Sequence, residues 1–459
     1  MTKTETTTRE RRGDHGHGRA PDGEGYRPLR LPTRRTAASL VAPLLDLFYA
    51  DELPVRFVFW DGSALGPEAA TSVAFVRSAD ALRYILWAPG ELGLARAFVA
   101  GQIEIEGDVA QALQLLHDQA SMDLRSAGLA LTSKLLPSAR ALGLLRRPPA
   151  PPDLEANPKG RLHSRRRDAA AISHHYDVGN DFYRLVLGES MTYSCARFVN
   201  DRATLNEAQQ AKHELVCRKL GLDRRRGMKL LDVGCGWGSL SIHAAQRFGA
   251  QVVGVTLSRE QADWANRRIE EAGLGDSIEI RLADYRSLRG EQFDAISSVG
   301  MFEHVGSAQR AQYFETLHTL LAPGGRLLNH AISTPGGSKM AHRSFIGRYV
   351  FPDGELIDVG QVVLAMEQAG FEIRDVESLR EHYAKTLRAW VANLQDHWDE
   401  AVALVGPGRC RVWLLYMAAS AIGFDDGGLG IHQVLGVKPL PGGPSLMPPT
   451  RASWEGAPA

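Results

Sequence analysis

The strongest constraint on this chain is one short run, Asp232-Val233-Gly234-Cys235-Gly236-Trp237-Gly238. It lies between an apolar strand at Lys229–Val233 and a helix-like stretch at Ser239–Phe248. Glycines spaced GxGxG let the backbone turn tightly and let a ligand approach the main chain. The helix beyond offers unpaired N–H groups in its first turn. No Lys-Ser/Thr pair follows, which disfavours a phosphate-cradling P-loop. The flanking pattern repeats the unit. Short β-rich runs at 251–255, 293–298 and 326–330, and one ending at Ala283-Asp284-Tyr285, alternate with helical stretches. Ala322-Pro323-Gly324-Gly325 reads as the turn into the run at 326–330. That alternation predicts an α/β fold with a doubly wound, mostly parallel sheet.

Upstream lies a smaller unit. Leu40, Val41, Leu44, Leu45, Leu47 and Phe48 form a stripe at helical spacing. Strands at 55–60 and 71–77, helices at 79–87 and 92–99 and an extended run at 102–106 follow, with Asp61-Gly62 as a turn. The expected division is a disordered tail at 1–36, a small N-terminal α/β domain at 37–147, a proline-broken linker at 148–168, the larger domain at 169–438 and a Pro/Gly-rich disordered tail at 439–459. Residues 129–145 read as a helix. Between Arg125 and Arg167 stand ten basic and two acidic residues, a mixture that suits an anionic lipid surface or, equally, a solvated linker.

Composition excludes several classes. The 53 basic and 53 acidic residues balance, so nothing supports nucleic-acid binding. Cys195, Cys217, Cys235 and Cys410 form no CxxC pair, which argues against a metal site or disulfides and fits a reducing cytoplasm. No secretory signal is visible. The longest apolar run, 412–424, is well short of the ~20 residues a span needs, so membrane contact is expected to be peripheral.

The glycine run resembles motif I of class I S-adenosylmethionine-dependent methyltransferases, whose fold is Rossmann-like. Further segments resemble the cyclopropane-fatty-acyl-phospholipid synthase family. They are His174-His175-Tyr176-Asp177-Val178-Gly179-Asn180-Asp181-Phe182-Tyr183, Met191-Thr192-Tyr193-Ser194-Cys195-Ala196, Gly254-Val255-Thr256-Leu257-Ser258, Met301-Phe302-Glu303-His304-Val305, Tyr349-Val350-Phe351-Pro352, Tyr383-Ala384-Lys385-Thr386-Leu387-Arg388-Ala389-Trp390 and His432-Gln433-Val434. They occur in family order across roughly 165–438. The N-terminal domain resembles more loosely the small domain of the bacterial phospholipid-acting members.

The resemblance implies S-adenosylmethionine as cofactor, bound by Tyr193, Ser194, Asp232, Gly234, Gly236, Gly238, Thr256, Ser258, Gln261, Asp284 and Tyr285. Thr256 stands where many such enzymes carry an acidic ribose ligand. Asp284 is placed to accept the adenine amino group. The family also implies a bicarbonate ion held by Cys195, Glu303, His330, Tyr383 and the backbone of Ile332, and a homodimer.

The chemistry explains this choice of residues. A sulfonium methyl is electrophilic, and attack by a cis alkene leaves a carbocation on the acyl chain. Aromatic faces such as Phe182, Tyr193, Phe302 and Tyr349 suit that charge, and exclusion of water protects it. A base must then take a proton from the new carbon so that a ring closes. The first reading is cyclopropanation of an unsaturated phospholipid acyl chain at the membrane surface. The same activation, with loss of a different proton, gives a methylene branch and implies a reductase partner. Methylation of a small amine and a non-catalytic lipid-binding module are the other classes. The intact set of Cys195, Glu303, His330 and Tyr383 argues against the amine, and the intact glycine run against the module.

Overall fold

The computed structural model describes residues 35–49, 52–120, 136–155, 178–337, 344–351 and 354–455. The expected N-terminal tail up to residue 34, the linker from residue 156, and His174 and His175 lie outside the described residues.

The small unit opens with helix α1 (Ala37–Phe48), capped by the Thr36 side chain, which accepts the Ser39 N–H. Strands β1 (Arg56–Phe59), β2 (Ala64–Leu65) and β3 (Val73–Val76) precede helices α2 (Ala79–Trp87) and α3 (Glu91–Val99). Strand β4 (Ile103–Glu106) and helices α4 (Val109–Asp118) and α5 (Leu136–Ala141) complete it. Its sheet has the order β2-β1-β3-β4. The Asp61-Gly62 turn joins β1 to β2, and the Asp61 carboxylate accepts the Ala37 N–H at 2.7 Å, fixing α1 to the sheet. Of the helix expected over 129–145, residues 136–141 form α5 and residues 142–145 are turns; residues 129–135 lie outside.

The large unit runs from α6 (Asn180–Leu187) and α7 (Leu205–Leu220) into β5 (Lys229–Val233), α8 (Ser239–Phe248), β6 (Gln251–Thr256), α9 (Arg259–Glu271), β7 (Ile278–Leu282) and β8 (Phe293–Val299). Then come α10 (Arg310–Leu320), β9 (Leu321–Ser333), α11 (Phe345–Tyr349), α12 (Val359–Gln368), β10 (Glu372–Ser378), α13 (Arg380–Asp396), α14 (Trp398–Val405), α15 (Pro407–Asp425), β11 (Gly430–Val437) and α16 (Ala452–Glu455). The seven-stranded sheet has the order β10-β11-β9-β8-β5-β6-β7. Strands β9, β8, β5, β6 and β7 are parallel; β11 runs antiparallel to both β9 and β10. This is the doubly wound, mostly parallel α/β sheet expected from the sequence, with an antiparallel edge. The chain leaves β5 first towards β6 and β7, then returns to β8 on the other side. A crevice therefore opens at the carboxyl ends of β5 and β8.

Two expectations are corrected. Residues 322–325 are not a free turn. Gly324 N–H donates to the Lys438 carbonyl and Lys438 N–H to the Gly325 carbonyl, which draws the segment into β9. The C-terminal stretch expected to be disordered packs through residue 455. Trp454 is 5% exposed in a core cluster with Leu215, Leu220 and Met228, and Arg451 pairs with Asp375 at 2.6 Å. Proline and glycine leave only the short helix α16 there, but Trp454 and Met447 supply apolar anchors. The small unit has a core of its own, with Leu40, Val41, Phe59, Tyr84 and Leu142 among its members, and also shares a second cluster with the large unit. Leu92, Phe98 and Val109 share one cluster with Phe182, Tyr183 and Trp413. Arg411 of α15 also pairs with Glu104 of β4 at 2.9 Å.

Candidate active site

The crevice is a cleft of about 1250 Å3, its mouth included. Its floor is the glycine loop. Gly234, Gly236 and Gly238 all have positive φ, a region that favours glycine. Their surroundings separate their roles. A Cβ at Gly236 would meet nothing within 4 Å, so this backbone faces the open cleft. A Cβ at Gly234 would press on Met301, and one at Gly238 on Ala265 of α9 at 3.1 Å. Gly238 therefore serves helix packing and does not line the cleft, a correction to its expected role. Trp237 is pinned from the other side: its Nε1–H donates to Asn180 Oδ1 at 2.7 Å and its ring lies against Tyr183.

Tyr193, Ser194, Asp232, Thr256, Gln261, Asp284 and Tyr285 line the cleft with Gly234 and Gly236. Their partners qualify several roles. Asp232 accepts hydroxyl protons from Ser241 and Ser297, both at 2.8 Å, and burial raises its pKa. Its carboxylate braces β5 against β8 and α8. Thr256 donates to Gln261 Oε1 at 2.9 Å at the tip of β6. Ser258 is the N-cap of α9, accepting from Gln261 N–H, and is not among the lining residues. Asp284 at the tip of β7 takes a two-pronged bond from Arg286, including Nη2–H at 2.6 Å. Any adenine amino group would share that carboxylate with Arg286. Neither Arg286 nor Asn180 is singled out by sequence reasoning; the glycine run masked its own support.

On the far side of β8 the geometry changes. Strand β8 ends at Val299 while β9 continues to Ser333, so the Ile332 N–H outruns its neighbouring strand. Glu303, in the turn after β8, fills that gap: its Oε1 accepts the Ile332 N–H at 2.7 Å. Ile332 thus holds Glu303, and its amide is not an open anion donor. Among the described residues Glu303 Oε2 is buried without a partner. Desolvation raises the Glu303 pKa to about 7, against the lowering effect of the Ile332 N–H. His330, two residues back on β9, is held by Gln433 at 3.2 Å through Nδ1; its Nε2 is buried without a partner, and burial keeps the ring neutral. Cys195 Sγ lies 3.6 Å from the Leu379 carbonyl, and burial raises its thiol pKa well above the ordinary value. Tyr383, one helical turn beyond Leu379, packs on Phe424 and Trp390.

Aromatic rings line the route between these groups. Tyr193 lies against Tyr183, Trp390 and Trp413, and Phe182 against Trp413. Phe302 and Tyr349 do not join them: Phe302 packs on Tyr313 and Phe314, and Tyr349 Oη donates to Glu155 at 3.3 Å. A residue that sequence reasoning missed does join. Tyr416 of α15 shares a 3.2 Å hydrogen bond with Tyr193 Oη, and burial raises its pKa to about 12, the Glu303 charge adding to the rise. Its only sequence signal is an aromatic residue in a helix that reads as core.

The family model described as mycolic acid cyclopropane synthetase matches residues 163–434. A probable fatty acid methyltransferase from Mycobacterium tuberculosis is 42% identical, over 90% of this chain and 98% of its own length. A tuberculostearic acid methyltransferase from the same organism is 35% identical, over 86% of this chain and 91% of its own. The crystal structure of mycolic acid cyclopropane synthase CmaA1 complexed with SAH and CTAB superposes with a TM-score of 0.55 at 35% identity, covering 58% of this chain and 97% of that one. With the class I cleft, these matches make the protein an S-adenosylmethionine-dependent methyltransferase, and the chain belongs to the mycolic acid cyclopropane synthetase family.

Proposed function

We propose that this enzyme transfers a carbon from S-adenosylmethionine to the cis double bond of an unsaturated phospholipid acyl chain and forms a cyclopropane. One observation carries the reading: a buried carboxyl, Glu303, with an oxygen unpartnered among the described residues, acts on Tyr416, which is hydrogen-bonded to Tyr193 in the wall of the cofactor cleft. Gly234 and Gly236 leave room for the cofactor, Thr256 and Gln261 face its ribose, and Asp284 with Arg286 closes the adenine end. The bound cofactor supplies an electrophilic methyl. Tyr193, Trp390 and Trp413 present faces and edges to the reacting chain and keep water out. Cation–π attraction of ~0.5–2 kcal/mol per ring favours positive charge there.

Proton removal needs a group that accepts in a dry site. Of the residues assigned to a bicarbonate ion, Glu303 Oε2 and His330 Nε2 are buried and unpartnered among the described residues and suit it, Cys195 and Tyr383 are buried, and the Ile332 amide is already taken by Glu303. Bound there, it would supply the base for the final deprotonation. Glu303, with a pKa of about 7, accepts or donates a proton near neutrality.

A second reading has its own support. The relatives that match most of the chain, small unit included, carry fatty acid methyltransferase names, one of them for tuberculostearic acid. The same activation with loss of another proton gives a methylene branch, which a reductase partner would complete. Proton NMR of lipids from cells expressing the enzyme and fed a cis-unsaturated fatty acid separates the two. Upfield ring protons are expected; olefinic methylene protons would replace the first reading with the second.

We also place the enzyme in the cytoplasm at the inner membrane surface. Among the described residues no helix is long and apolar enough to cross a membrane. Trp87, Leu136 and Leu145, 52%, 48% and 49% exposed, stand beside exposed Arg140, Arg146 and Arg147. Activity on vesicles should rise with anionic lipid and fall with salt; salt-independent activity would remove the surface from the account.

A further inference from the structure

Residues 192–198 form no strand, yet two helices bond their backbone much as neighbouring strands would. On one side stands α7: Gln209 Nε2–H donates to the Thr192 and Ser194 carbonyls, and the Ala208 carbonyl accepts the Arg197 N–H at 3.0 Å. On the other side α13 supplies side chains. Thr386 Oγ1 accepts the Ala196 N–H at 3.0 Å, and His382 Nδ1 accepts the Phe198 N–H at 3.1 Å. Backbone amides taken out of water need such partners. The segment belongs to both halves of the site. Tyr193 and Ser194 line the cofactor cleft, and Cys195 is buried against the Leu379 carbonyl. Its register between the two helices therefore sets where those three side chains stand.

The three side chains that hold the segment are not alike. Gln209 and Thr386 are fully buried and do not titrate. His382 is half-buried, and only a ring with a bare Nδ1 accepts a backbone N–H; the imidazolium donates from both nitrogens. Its ring lies parallel to that of Phe198, the planes 3° apart, so bond and ring contact fix the same residue. Charges face it from each neighbouring element: Arg197 from the segment, Lys385 and Glu381 from α13, and Glu377 from β10. Lys385 is drawn off to Asp201 at 2.8 Å, and Glu377 to Lys219. Burial first, then Arg197 and Lys385, lower the His382 pKa below the ordinary 6.5. With the folded value below the unfolded one, the stabilisation from this bond is present above pH 6.5 and lost as pH falls through the folded value.

We infer that His382 is a positioning residue for methyl transfer: its bare Nδ1 holds Phe198, and through it Cys195, at the register the chamber needs, and a proton on that nitrogen lets the segment go. This rests on the chamber assigned above to the lipid reaction. His382 is not among the residues lining the cleft and acts through the segment. The cleft end of the segment keeps its own hold through Gln209, so release at Phe198 bears on the chamber first.

The test compares the full-length wild type with His382→Asn, whose Oδ1 takes the place of Nδ1 but does not titrate, and His382→Leu, which has no acceptor. Two quantities are followed from about pH 8 to about pH 5. One is amide hydrogen exchange of the peptide spanning 195–198, corrected for the intrinsic rate. The other is label carried from methyl-labelled cofactor into extracted lipid. At the alkaline end the wild type and His382→Asn should agree. His382→Leu should exchange faster and turn over about three- to tenfold more slowly, as for loss of one hydrogen bond, with S-adenosylhomocysteine affinity changed less than about twofold. As the pH falls, the ratio of wild type to His382→Asn should drop in both protection and turnover; taking the ratio removes every titration the two proteins share, Glu303 included. A ratio that stays flat overturns the inference, as does His382→Leu matching the wild type. Equal losses of affinity and turnover in His382→Leu would mean a general structural role and overturn it too. If that variant does not fold, the ratio alone decides. A wild type that puts no label into lipid overturns the lipid reading instead, and hydrogen exchange then decides the role of His382.

Discussion

The parallel and antiparallel halves of the sheet build two different kinds of site. At the ends of β5, β6 and β7 each ligand-facing residue is braced by near neighbours: Thr256 by Gln261, Asp284 by Arg286, and Gly234 by the backbone of Val255. At the end of β9 and β11 the bracing is remote. Cys195 reaches Leu379, Ala196 N–H donates to Thr386, Tyr193 reaches Tyr416 across 223 positions, and His330 leans on Gln433. The first half is a binding module that short segments specify. The second is a reaction chamber that exists only once α13, α15 and β11 are in place. Damage to one half should therefore appear in affinity, and damage to the other in turnover.

The largest test of that division is Glu303→Gln. Turnover should fall by about 10²- to 10⁴-fold, read as label from methyl-labelled cofactor in extracted lipid, with S-adenosylhomocysteine affinity unchanged. The same variant carries a pH signature. The folded pKa of about 7 lies above the ordinary 4.5, so the native state holds the proton more tightly than the unfolded chain. Wild-type stability should then decline as pH rises from 4.5 through 7, by an amount on the order of 3 kcal/mol, and the glutamine variant should lack that slope. Parallel melting curves against pH would place Glu303 in contact with water. Next, Trp454→Ala should destabilise by about 3–5 kcal/mol, seen in denaturant unfolding, while turnover per folded molecule holds. A smaller effect is expected for Tyr416→Phe, which keeps the ring and loses the bond to Tyr193: turnover should drop about three- to tenfold with cofactor affinity intact. An equal loss of affinity would join the two halves. Smallest, Asp284→Asn should raise the cofactor KM by about threefold to tenfold and leave saturated turnover alone.

The parallel half was the more legible in sequence because its signals are local. The glycine loop and the strand tips each sit where a strand–turn–helix unit puts them. Much of the chamber needed the family resemblance, and even that did not reveal partners. Nothing in the order of residues says that β9 outlasts β8, so the capture of Glu303 by the Ile332 amide was hidden. Tyr416 sits in a helix buried on most sides, where an aromatic residue reads as core. The C-terminal segment failed for another reason: its Pro/Gly-rich composition hid a single buried anchor, Trp454, that ties it to the core.

The shared core of the two units sets a timetable for the nascent chain. The Arg411–Glu104 pair spans 307 positions. At ~5–20 residues per second, synthesis needs on the order of 15–60 s to travel that far. Throughout that interval the apolar faces of α3 and α4, Phe98 and Val109 among them, are finished but have no α15 to cover them. Strand β11, which joins the edge strand β10 to β9, arrives later still. The chain emerges with apolar surfaces that wait for its last quarter to close them.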